Sequence, residues 1–296
     1  MARITYNQPL DNFDLNRAAE VGVNGSVESV SSTHIVFTDG TYKSDLTGIF
    51  PSGNSNMGVF TGVTYSLNNT PYVTITGLNV KVADAANTTS LYSGNDVYVG
   101  SSGNDHFYAW PGNDSYTGGD GIDTVHYAAL KSDFTVSSVG TVANVQGLGK
   151  NDALFGIERI NFQEDGSTLA LDVNAGQNAG SAYRLYQAAF DRKPDTGGLN
   201  YWVGDLDKGA TLQQVAQGFV DSAEFKVLTP ATDARSIINS FYQHVLHRDA
   251  DEGGFKYWED SMANGMTASE VLVSFSESQE NLNNTAAELN NGVWLV

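Results

Sequence analysis

Aspartates recur at an even step in a glycine-rich stretch, GNDVYVGSSGNDHFYAWPGNDSYTGGDGID, which runs from Gly94 to Asp123. Each aspartate follows a glycine by two positions and precedes a large apolar residue by two, and this unit repeats every nine residues. The last and fullest row adds Gly119 and Asp120. The three series are Gly94, Gly103, Gly112 and Gly121; Asp96, Asp105, Asp114 and Asp123; and Tyr98, Phe107, Tyr116 and Val125.

Carboxylates and turn carbonyls are hard oxygen ligands, and calcium takes about six to eight of them. The pattern GGxGxDxUx is typical of calcium-binding parallel β-helices, in which two nine-residue rows complete one coil and glycine permits the tight turns. We therefore expect Asp96 to stack on Asp114 and Asp105 on Asp123, with about two or three calcium ions in all. The candidate calcium ligands are Asp96, Asp105, Asp114, Asp120, Asp123, Gly94, Gly103, Gly112, Gly119 and Gly121.

The array of repeats has clear ends. Its phase stops at Ala85 and Asn87 upstream and at Leu130 and Ser132 downstream. Ordinary hairpin turns rich in Asn, Gly and Asp are the alternative, but four matches in phase at three positions favour the coil. The large apolar series is then expected to form a thin core inside it.

Catalytic motifs are absent from the sequence. It has no HExxH, no Gly-x-Ser-x-Gly and no cysteine, so we expect no enzyme and name no catalytic residue. His34 stands alone. His106 and His126 fall at variable positions of the repeat, where exposed strand residues are expected. His244 and His247 have no third zinc ligand in register.

The chain is strongly acidic, with 34 Asp and Glu against 15 Lys and Arg and a net charge of −19. Such a charge repels nucleic acid and anionic membranes and suits cations, so we expect no nucleic-acid partner. No apolar run is long enough for a bilayer span, so membrane insertion is not expected. The start, MARITYNQPLDNFDL, lacks the pattern of a cleavable secretory signal.

The fold class predicted is mixed, β then α: an N-terminal β region, a short calcium-binding parallel β-roll and a C-terminal all-α helical bundle. Residues 1–90 are rich in β-branched and aromatic residues between turn residues. Residues 91–171 contain the array and a β cap. Residues 172–181 are small and polar, which indicates a linker, and residues 182–296 follow helical spacing with a C-terminal secretion tail.

Residues 91–127 resemble the RTX (repeats-in-toxin) family of hemolysin-type secreted bacterial proteins. DTVHYAALKSDFTV followed by LFGIERINFQEDGSTLAL resembles the strand cap that follows RTX rows. The resemblance implies export through the type I secretion apparatus, with an uncleaved C-terminal signal, and folding in calcium outside the cell. It implies a location outside a bacterium or on its surface, and it does not imply a toxin.

A longer repeat, of 56 residues, fills the helical part. YQAAFDRKPDTGGLNYW at 186–202 matches YQHVLHRDADEGGFKYW at 242–258, and the match continues through Thr211 and Thr267. Both threonines begin capping boxes, so each copy is predicted to be a helix, an Arg–Asp–Gly-Gly turn, a second helix and a capped third helix. A second candidate ligand site consists of Arg192, Asp195, Trp202, Arg248, Asp249, Asp251 and Trp258.

Three interpretations of these turns stay open. The favoured one is structural, with aromatic residues in a bundle core and the Arg–Asp turn exposed. In another, Asp249 and Asp251 before Gly253 begin a helix–loop–helix calcium loop, although the later bidentate Glu is not in place. In the third, the surface formed by the Tyr and Trp side chains binds a sugar or a partner protein.

Residues 180–282 resemble a helical domain family of unknown function (DUF4214-like, two half-repeats) that often follows RTX rows. Its core pattern RxPDxxGLxYW runs here from Arg192 to Trp202, and the second copy departs from it at Ala250 and Phe255. A distant likeness to phycobilisome linker domains implies protein–protein assembly by analogy.

These observations predict a secreted calcium-binding surface or extracellular-matrix protein of the surface-layer or adhesion type. Its expected partners are calcium, another copy of itself, another surface protein or a glycan. Two alternatives stay open, an extracellular hydrolase of polymers and a carbohydrate-binding protein, each carried on an RTX export module.

Overall fold

The computed structural model describes residues 1–9, 15–51, 58–81, 92–231 and 233–295. Ala85 and Asn87, where the phase of the array is expected to stop, lie outside the described residues, as do the other parts of residues 1–91 between these ranges. Two compact units follow each other, Met1–Gly166 and Ser167–Val296. The first is rich in strands and the second in helices, which confirms the predicted fold class. Within the described ranges, every helix is too short or too polar to cross a membrane.

The first unit begins with β1 (Arg3–Tyr6), α1 (Leu15–Asn24), β2 (Ser26–Val30), β3 (His34–Thr38), β4 (Tyr42–Ile49), β5 (Val59–Leu67) and β6 (Thr70–Lys81). Among the described residues, these six strands are the antiparallel part of an 11-stranded sheet, in the order β1-β6-β5-β4-β3-β2. Helix α1 departs from the prediction of β structure throughout this region. The spacing of apolar residues explains the helix, since Ala18 and Val21 are both buried and lie three positions apart. The Ser44 hydroxyl of β4 donates to the Ala18 carbonyl oxygen at 2.7 Å.

The repeat array forms a flattened coil with short strands on two faces. The strands are β7 (Val97–Val99), β8 (His106–Tyr108), β9 (Ser115–Thr117) and β10 (Thr124–Tyr127). β7 pairs in parallel with β9, and β8 with β10, so rows eighteen residues apart lie side by side as the period predicts. Strand β1 also pairs in parallel with β7, with Ile4 opposite Tyr98. The N-terminal strand therefore leads directly into the coil.

The array of repeats ends near Val125, but the coil does not. An antiparallel hairpin, β11 (Phe134–Val139) and β12 (Val142–Gly147), comes next, followed by β13 (Lys150–Phe155) and β14 (Arg159–Phe162). β13 pairs in parallel with β9 and β14 with β10, one on each face. The inserted hairpin breaks the nine-residue phase, and two further rows continue the coil after it.

Aromatic rings fill the inside of the coil. Tyr98 stacks on Tyr116 with ring centroids 4.7 Å apart, and Phe107 lies 5.7 Å from Tyr116 and 5.0 Å from Tyr6. Val125 is fully buried in the same series. The apolar core predicted from the repeat is confirmed.

The second unit contains two copies of a four-helix repeat and a pair of short strands. Its elements are β15 (Ser167–Ala170), α2 (Asn178–Phe190), α3 (Thr196–Asp207), α4 (Leu212–Asp221), α5 (Ala223–Leu228), α6 (Ala234–Leu246), α7 (Glu252–Ala263), α8 (Ala268–Ser276), α9 (Gln279–Leu289) and β16 (Val293–Leu295), with β15 antiparallel to β16. The capping boxes predicted at Thr211 and Thr267 are confirmed. Each copy also has a fourth helix, α5 or α9, which the sequence interpretation missed; it is capped by Ser222 or Ser278.

The predicted linker is wrong for residues 178–181, which form the first turn of α2. The buried Asp172 carboxylate accepts a hydrogen bond from the Ala179 amide at 3.2 Å. A Cβ on Gly180 would lie 2.2 Å from the Val173 carbonyl oxygen. The residues are small here because the backbone segments pack closely, and not because the segment is a free linker.

Candidate metal centre

Two ladders of acidic side chains run along the two edges of the coil. On the first edge, the Ala2 amide donates to Asp96 Oδ1 (2.6 Å), the Asp96 amide to Asp114 Oδ1 (2.9 Å), and the Asp114 amide to Asp152 Oδ1 (2.9 Å). The predicted stacking of Asp96 on Asp114 is confirmed. Asp152 extends the ladder by one row beyond the predicted residues.

The second edge repeats this geometry. The Asp105 amide donates to Asp123 Oδ1 at 2.8 Å, and the Asp123 amide donates to Glu158 Oε2 at 2.9 Å. The stacking of Asp105 on Asp123 is confirmed, and Glu158 takes the position of the aspartate in the next row. Sequence reasoning missed Asp152 and Glu158, although each follows the residue aligned with the repeat glycine by two positions, in GKND and in GIE.

Asparagines immediately before the aspartates form a parallel ladder. Asn95 Oδ1 accepts from the Asn113 amide at 3.0 Å, and Asn113 Oδ1 accepts from the Asn151 amide at 2.8 Å. On the second edge, Asn104 Oδ1 accepts from the Ile122 amide at 2.9 Å. The repeated Asn-Asp pair in the sequence was the available signal. These amides fix the spacing between successive turns without adding charge.

The four repeat carboxylates are deeply buried, and burial raises the pKa of two of them, Asp114 and Asp123. Asp96, Asp105, Asp114 and Asp123 are each 3% exposed or less. Burial, with Asp152 as a nearby charge, raises the pKa of Asp114 to about 6. Burial, with Glu158, Asp105 and the exposed Asp120 nearby, raises the pKa of Asp123 to about 7. Within the described residues, Asp96 Oδ2 and Asp123 Oδ2 have no hydrogen-bond partner. Buried charges of this kind need a cation.

Close backbone packing explains the glycines of the turns. A Cβ on Gly112 would lie 1.9 Å from the Gly94 carbonyl oxygen, and a Cβ on Gly118 would lie 2.0 Å from the Gly156 carbonyl oxygen and 2.2 Å from Asp123 Oδ2. Carbonyl and carboxylate oxygens therefore line narrow spaces between successive turns.

Positive φ is found at only some of the predicted glycines. Gly112, Gly119 and Gly121 have φ of +141°, +124° and +111°. Gly94 and Gly103 do not adopt positive φ, so these two rows turn without a left-handed glycine at this position. Gly103 instead accommodates the ring of Pro9, which a Cβ would approach to 2.5 Å.

The donor set fits calcium. It consists of hard oxygens only, from carboxylates, side-chain amides and turn carbonyls. No group of three or more His, Cys, Asp or Glu side chains in the described part of the chain is gathered closely enough to hold a metal by itself. Backbone carbonyls must therefore supply a large share of the ligands, as the tight turns would allow.

The histidines of the coil bond to each other on its outer face. His106 Nδ1 and His126 Nε2 are 2.9 Å apart, and His126 Nδ1 lies 3.1 Å from Asn161 Oδ1. His106 is exposed, as expected, whereas His126 is half-buried, and burial lowers its pKa. The pair links β8, β10 and β14 side by side.

The turn at Arg192 in the helical unit has a structural role in its own copy. Asp195 caps α3 by accepting from the Gly198 amide at 2.8 Å and also accepts from the Tyr186 hydroxyl at 2.7 Å. Arg192 makes a bidentate pair with Glu224, at 2.8 and 3.0 Å. Trp202 stacks on a core phenylalanine with ring centroids 4.7 Å apart.

The second copy reproduces these contacts. Asp251 caps α7 by accepting from the Gly254 amide at 2.8 Å, and Asp249 accepts from the Gln243 side chain at 2.7 Å. Arg248 lies 3.3 Å from a Glu280 carboxylate oxygen, and Trp258 packs on a core phenylalanine at 5.1 Å. The geometry favours the structural interpretation of both turns over a helix–loop–helix calcium loop.

Comparison with known protein families agrees with both repeats. Residues 92–125 match the RTX calcium-binding nonapeptide repeat (4 copies). The chain carries an RTX coil. Residues 175–229 and 230–285 each match the domain of unknown function DUF4214. RTX repeats are typical of secreted calcium-binding proteins.

Comparisons with individual proteins add little. No curated protein matches the chain. Among solved structures, the extracellular lipase LipA from Serratia marcescens matches at 20% identity over 24% of this chain, with a TM-score of 0.16. The chain spans 13% of that lipase chain.

The RTX coil is longer than the segment that matches the family. The rows containing Asp152 and Glu158 lie beyond residue 125, and the row containing Ala2 precedes residue 92. The two DUF4214 copies coincide with α2–α5 and α6–α9 of the second unit.

Proposed function

We propose that the protein is a secreted, non-catalytic calcium-binding protein of a bacterial surface or extracellular matrix, of the surface-layer or adhesion type. It would leave the cell by type I secretion and fold on binding calcium outside. About two or three ions would lie between stacked turns of the RTX coil, at Asp96 and Asp114, at Asp105 and Asp123, and at a further row.

One observation carries the calcium part of this proposal. Asp96 and Asp123 are buried, and each has one carboxylate oxygen with no hydrogen-bond partner among the described residues. A buried anion without compensation destabilises the fold, whereas a bound calcium ion would convert the same oxygens into ligands. Calcium is scarce in cytoplasm and abundant outside cells, so the coil would complete its folding after export.

The surface of the helical unit supports the second part of this proposal, a surface-layer or adhesion role that depends on contacts with neighbouring molecules. Tyr201 on α3 and Tyr257 on α7 occupy equivalent positions 56 residues apart and are 60% and 59% exposed. Exposed tyrosines are frequent in protein and glycan contacts because they combine apolar area with a polar tip. Two copies of the same surface in one chain suit repeated contacts with neighbouring molecules.

Calcium should increase the mass of the particle as well as fold the coil. We expect multi-angle light scattering of the EDTA-stripped protein to show a monomer, and titration to about a millimolar calcium to yield dimers or larger assemblies. Magnesium at the same concentration is the control, because it prefers a smaller octahedral shell that keeps its waters. A particle that binds calcium and remains monomeric would contradict the surface-layer proposal.

A cavity in the first unit favours carbohydrate binding as a second candidate function. It has a volume of about 550 Å³ beside the coil. Aromatic side chains line it, including Tyr6, Tyr98, Tyr108 and Trp110. The buried Tyr98 hydroxyl has no hydrogen-bond partner among the described residues, so it could bond to a ligand hydroxyl. Flat rings with polar tips are suited to sugars.

A glycan array probed in calcium tests this candidate. We expect Tyr108→Ala, which removes a half-exposed ring from the cavity wall, to reduce binding about fivefold, since one aromatic contact contributes about 1 kcal/mol. Leu228→Ala, which removes a 47% exposed side chain of the second unit, is the control and should leave binding of the cavity's ligands unchanged. If no glycan binds, or if both variants bind equally, the cavity is not a carbohydrate site.

A further inference from the structure

Lys150 stands where the repeat has a glycine. It precedes Asp152 by two positions, as Gly94 precedes Asp96 and Gly112 precedes Asp114. These three rows stack along the first edge of the coil through β7, β9 and β13. The last row of this edge therefore has a positively charged side chain at the position where the other rows have glycine and offer only backbone atoms.

The Lys150 ammonium points into the space between two turns. Its Nζ donates to the Trp110 carbonyl oxygen at 2.7 Å and lies 3.1 Å from Asp152 Oδ2. The side chain is 11% exposed and passes 5.2 Å from the centre of the Tyr127 ring. Trp110 belongs to the turn of the preceding row on the same edge, so the ammonium joins the carbonyl of one turn to the carboxylate of the next.

Both carboxylate oxygens of this last row have partners, and one of those partners is a cation. Asp152 Oδ1 accepts from the Asp114 amide, and Asp152 Oδ2 accepts from the Tyr127 hydroxyl at 2.9 Å and pairs with Lys150. By contrast, Asp96 Oδ2 and Asp123 Oδ2 are buried with no hydrogen-bond partner within the described ranges. At Asp152 the chain itself provides a resident cation, Lys150, between stacked rows of the ladder.

We propose that the Lys150 ammonium takes the place of a calcium ion in the last coil of the first edge. This inference rests on the proposed calcium binding of the earlier rows. A turn carbonyl and a buried carboxylate are the ligands that calcium would use there, and the lysine supplies the positive charge from within the chain. The second edge ends differently, with Gly156 two positions before Glu158, and has no lysine at that position.

This arrangement gives the coil one closed end that needs no calcium. The rows around Asp152 hold their geometry at low calcium, and the earlier rows can then stack on a template that is already formed. Folding of a repeat coil is limited by its first complete interface, so a preformed last row favours growth of the calcium-dependent rows from that end.

Counting bound calcium tests the role of Lys150. Lys150→Gly restores the repeat glycine and opens the space, and we expect it to bind about one more calcium ion per chain than the wild type in equilibrium dialysis with elemental analysis. Lys150→Arg keeps the positive charge and should bind the wild-type number. Lys43→Ala removes a lysine that pairs with Glu28 elsewhere in the first unit and controls for net charge.

The outcomes separate the two ideas. If the wild type binds no calcium, the proposed function fails. If the wild type binds calcium and Lys150→Gly binds the same number, only the inference on Lys150 is overturned. Should Lys150→Gly not fold, hydrogen exchange of the calcium-free wild type decides: amides around Asp152 should stay protected while those around Asp96 exchange, and equal rapid exchange would overturn the inference.

Discussion

Withdrawal of calcium at pH 8 is expected to unfold residues 92–130 of the RTX coil and to leave the helices of the second unit folded. The coil concentrates buried carboxylates, and its internal core is one layer of rings. Without a cation these charges repel one another and lack hydration, so the folded coil loses its stability. The second unit has an apolar core with Ile238, Phe241 and Leu272 fully buried, and its stability does not depend on the ladder.

Lower pH should partly replace calcium. The pKa of Asp114 is raised to about 6 and that of Asp123 to about 7, mainly by burial. A carboxyl with a raised folded pKa favours the folded state when protonated. That stabilisation is complete below the ordinary aspartate pKa of about 4 and is lost as the pH rises through the folded pKa. In EDTA, the coil should therefore show a melting transition at pH 5 that is absent at pH 8.

Hydrogen exchange read by mass spectrometry resolves the two units in the intact chain. Peptides from 92–130 should lose protection in EDTA, and peptides from α2 to α9 should keep it. Asp123→Asn should weaken the dependence on pH, because it removes the group with the higher pKa, whereas the exposed Glu20→Gln should not. Unchanged protection of 92–130 in EDTA at pH 8 would show that calcium does not hold the coil.

The sequence was most informative where its period was intact. The nine-residue step places Asp96 beside Asp114 and Tyr98 beside Tyr116 because a coil of constant length repeats its contacts in register. Asp152 lies 38 residues after Asp114, since the β11–β12 hairpin is inserted between stacked rows. The local sequence does not show that two rows separated by a hairpin are neighbours. For that reason Asp152, Glu158 and Lys150 were not predicted.

Local rules also succeeded in the helical unit, with one physical limit. Capping boxes at Thr211 and Thr267 depend on side chains three residues apart and are visible in the sequence. The small residues around Gly180 predict a linker. Small residues serve equally well where backbones approach closely, and only the position of Val173 distinguishes the two cases.

Arg184→Ala is expected to destabilise the helical unit by about 3–5 kcal/mol, which corresponds to a fall of about 10 °C or more in its melting temperature. The guanidinium is 1% exposed and makes a bidentate pair with Glu277, with both N–O distances 2.9 Å. It also donates to the Val173 and Asn174 carbonyl oxygens, at 3.1 and 3.2 Å. Truncation leaves a largely buried carboxylate and two carbonyls without their donor, and the lost hydrogen bonds to a charged group are the costly kind.

Arg192→Ala is the matched control, because Arg192 makes an equally short bidentate pair with Glu224 from a side chain that is 41% exposed. Solvent screens that pair, so its loss should cost about 1 kcal/mol or less. Both variants are compared by urea unfolding in calcium, followed by helical circular dichroism. At the positions that are equivalent by the 56-residue repeat, Ser240 of the second copy corresponds to Arg184, and Asp221 of the first copy corresponds to Glu277. The repeat therefore contains no second buried Arg–Glu pair of this kind that could compensate. Equal losses in the two variants would mean that burial of Arg184 does not determine its contribution.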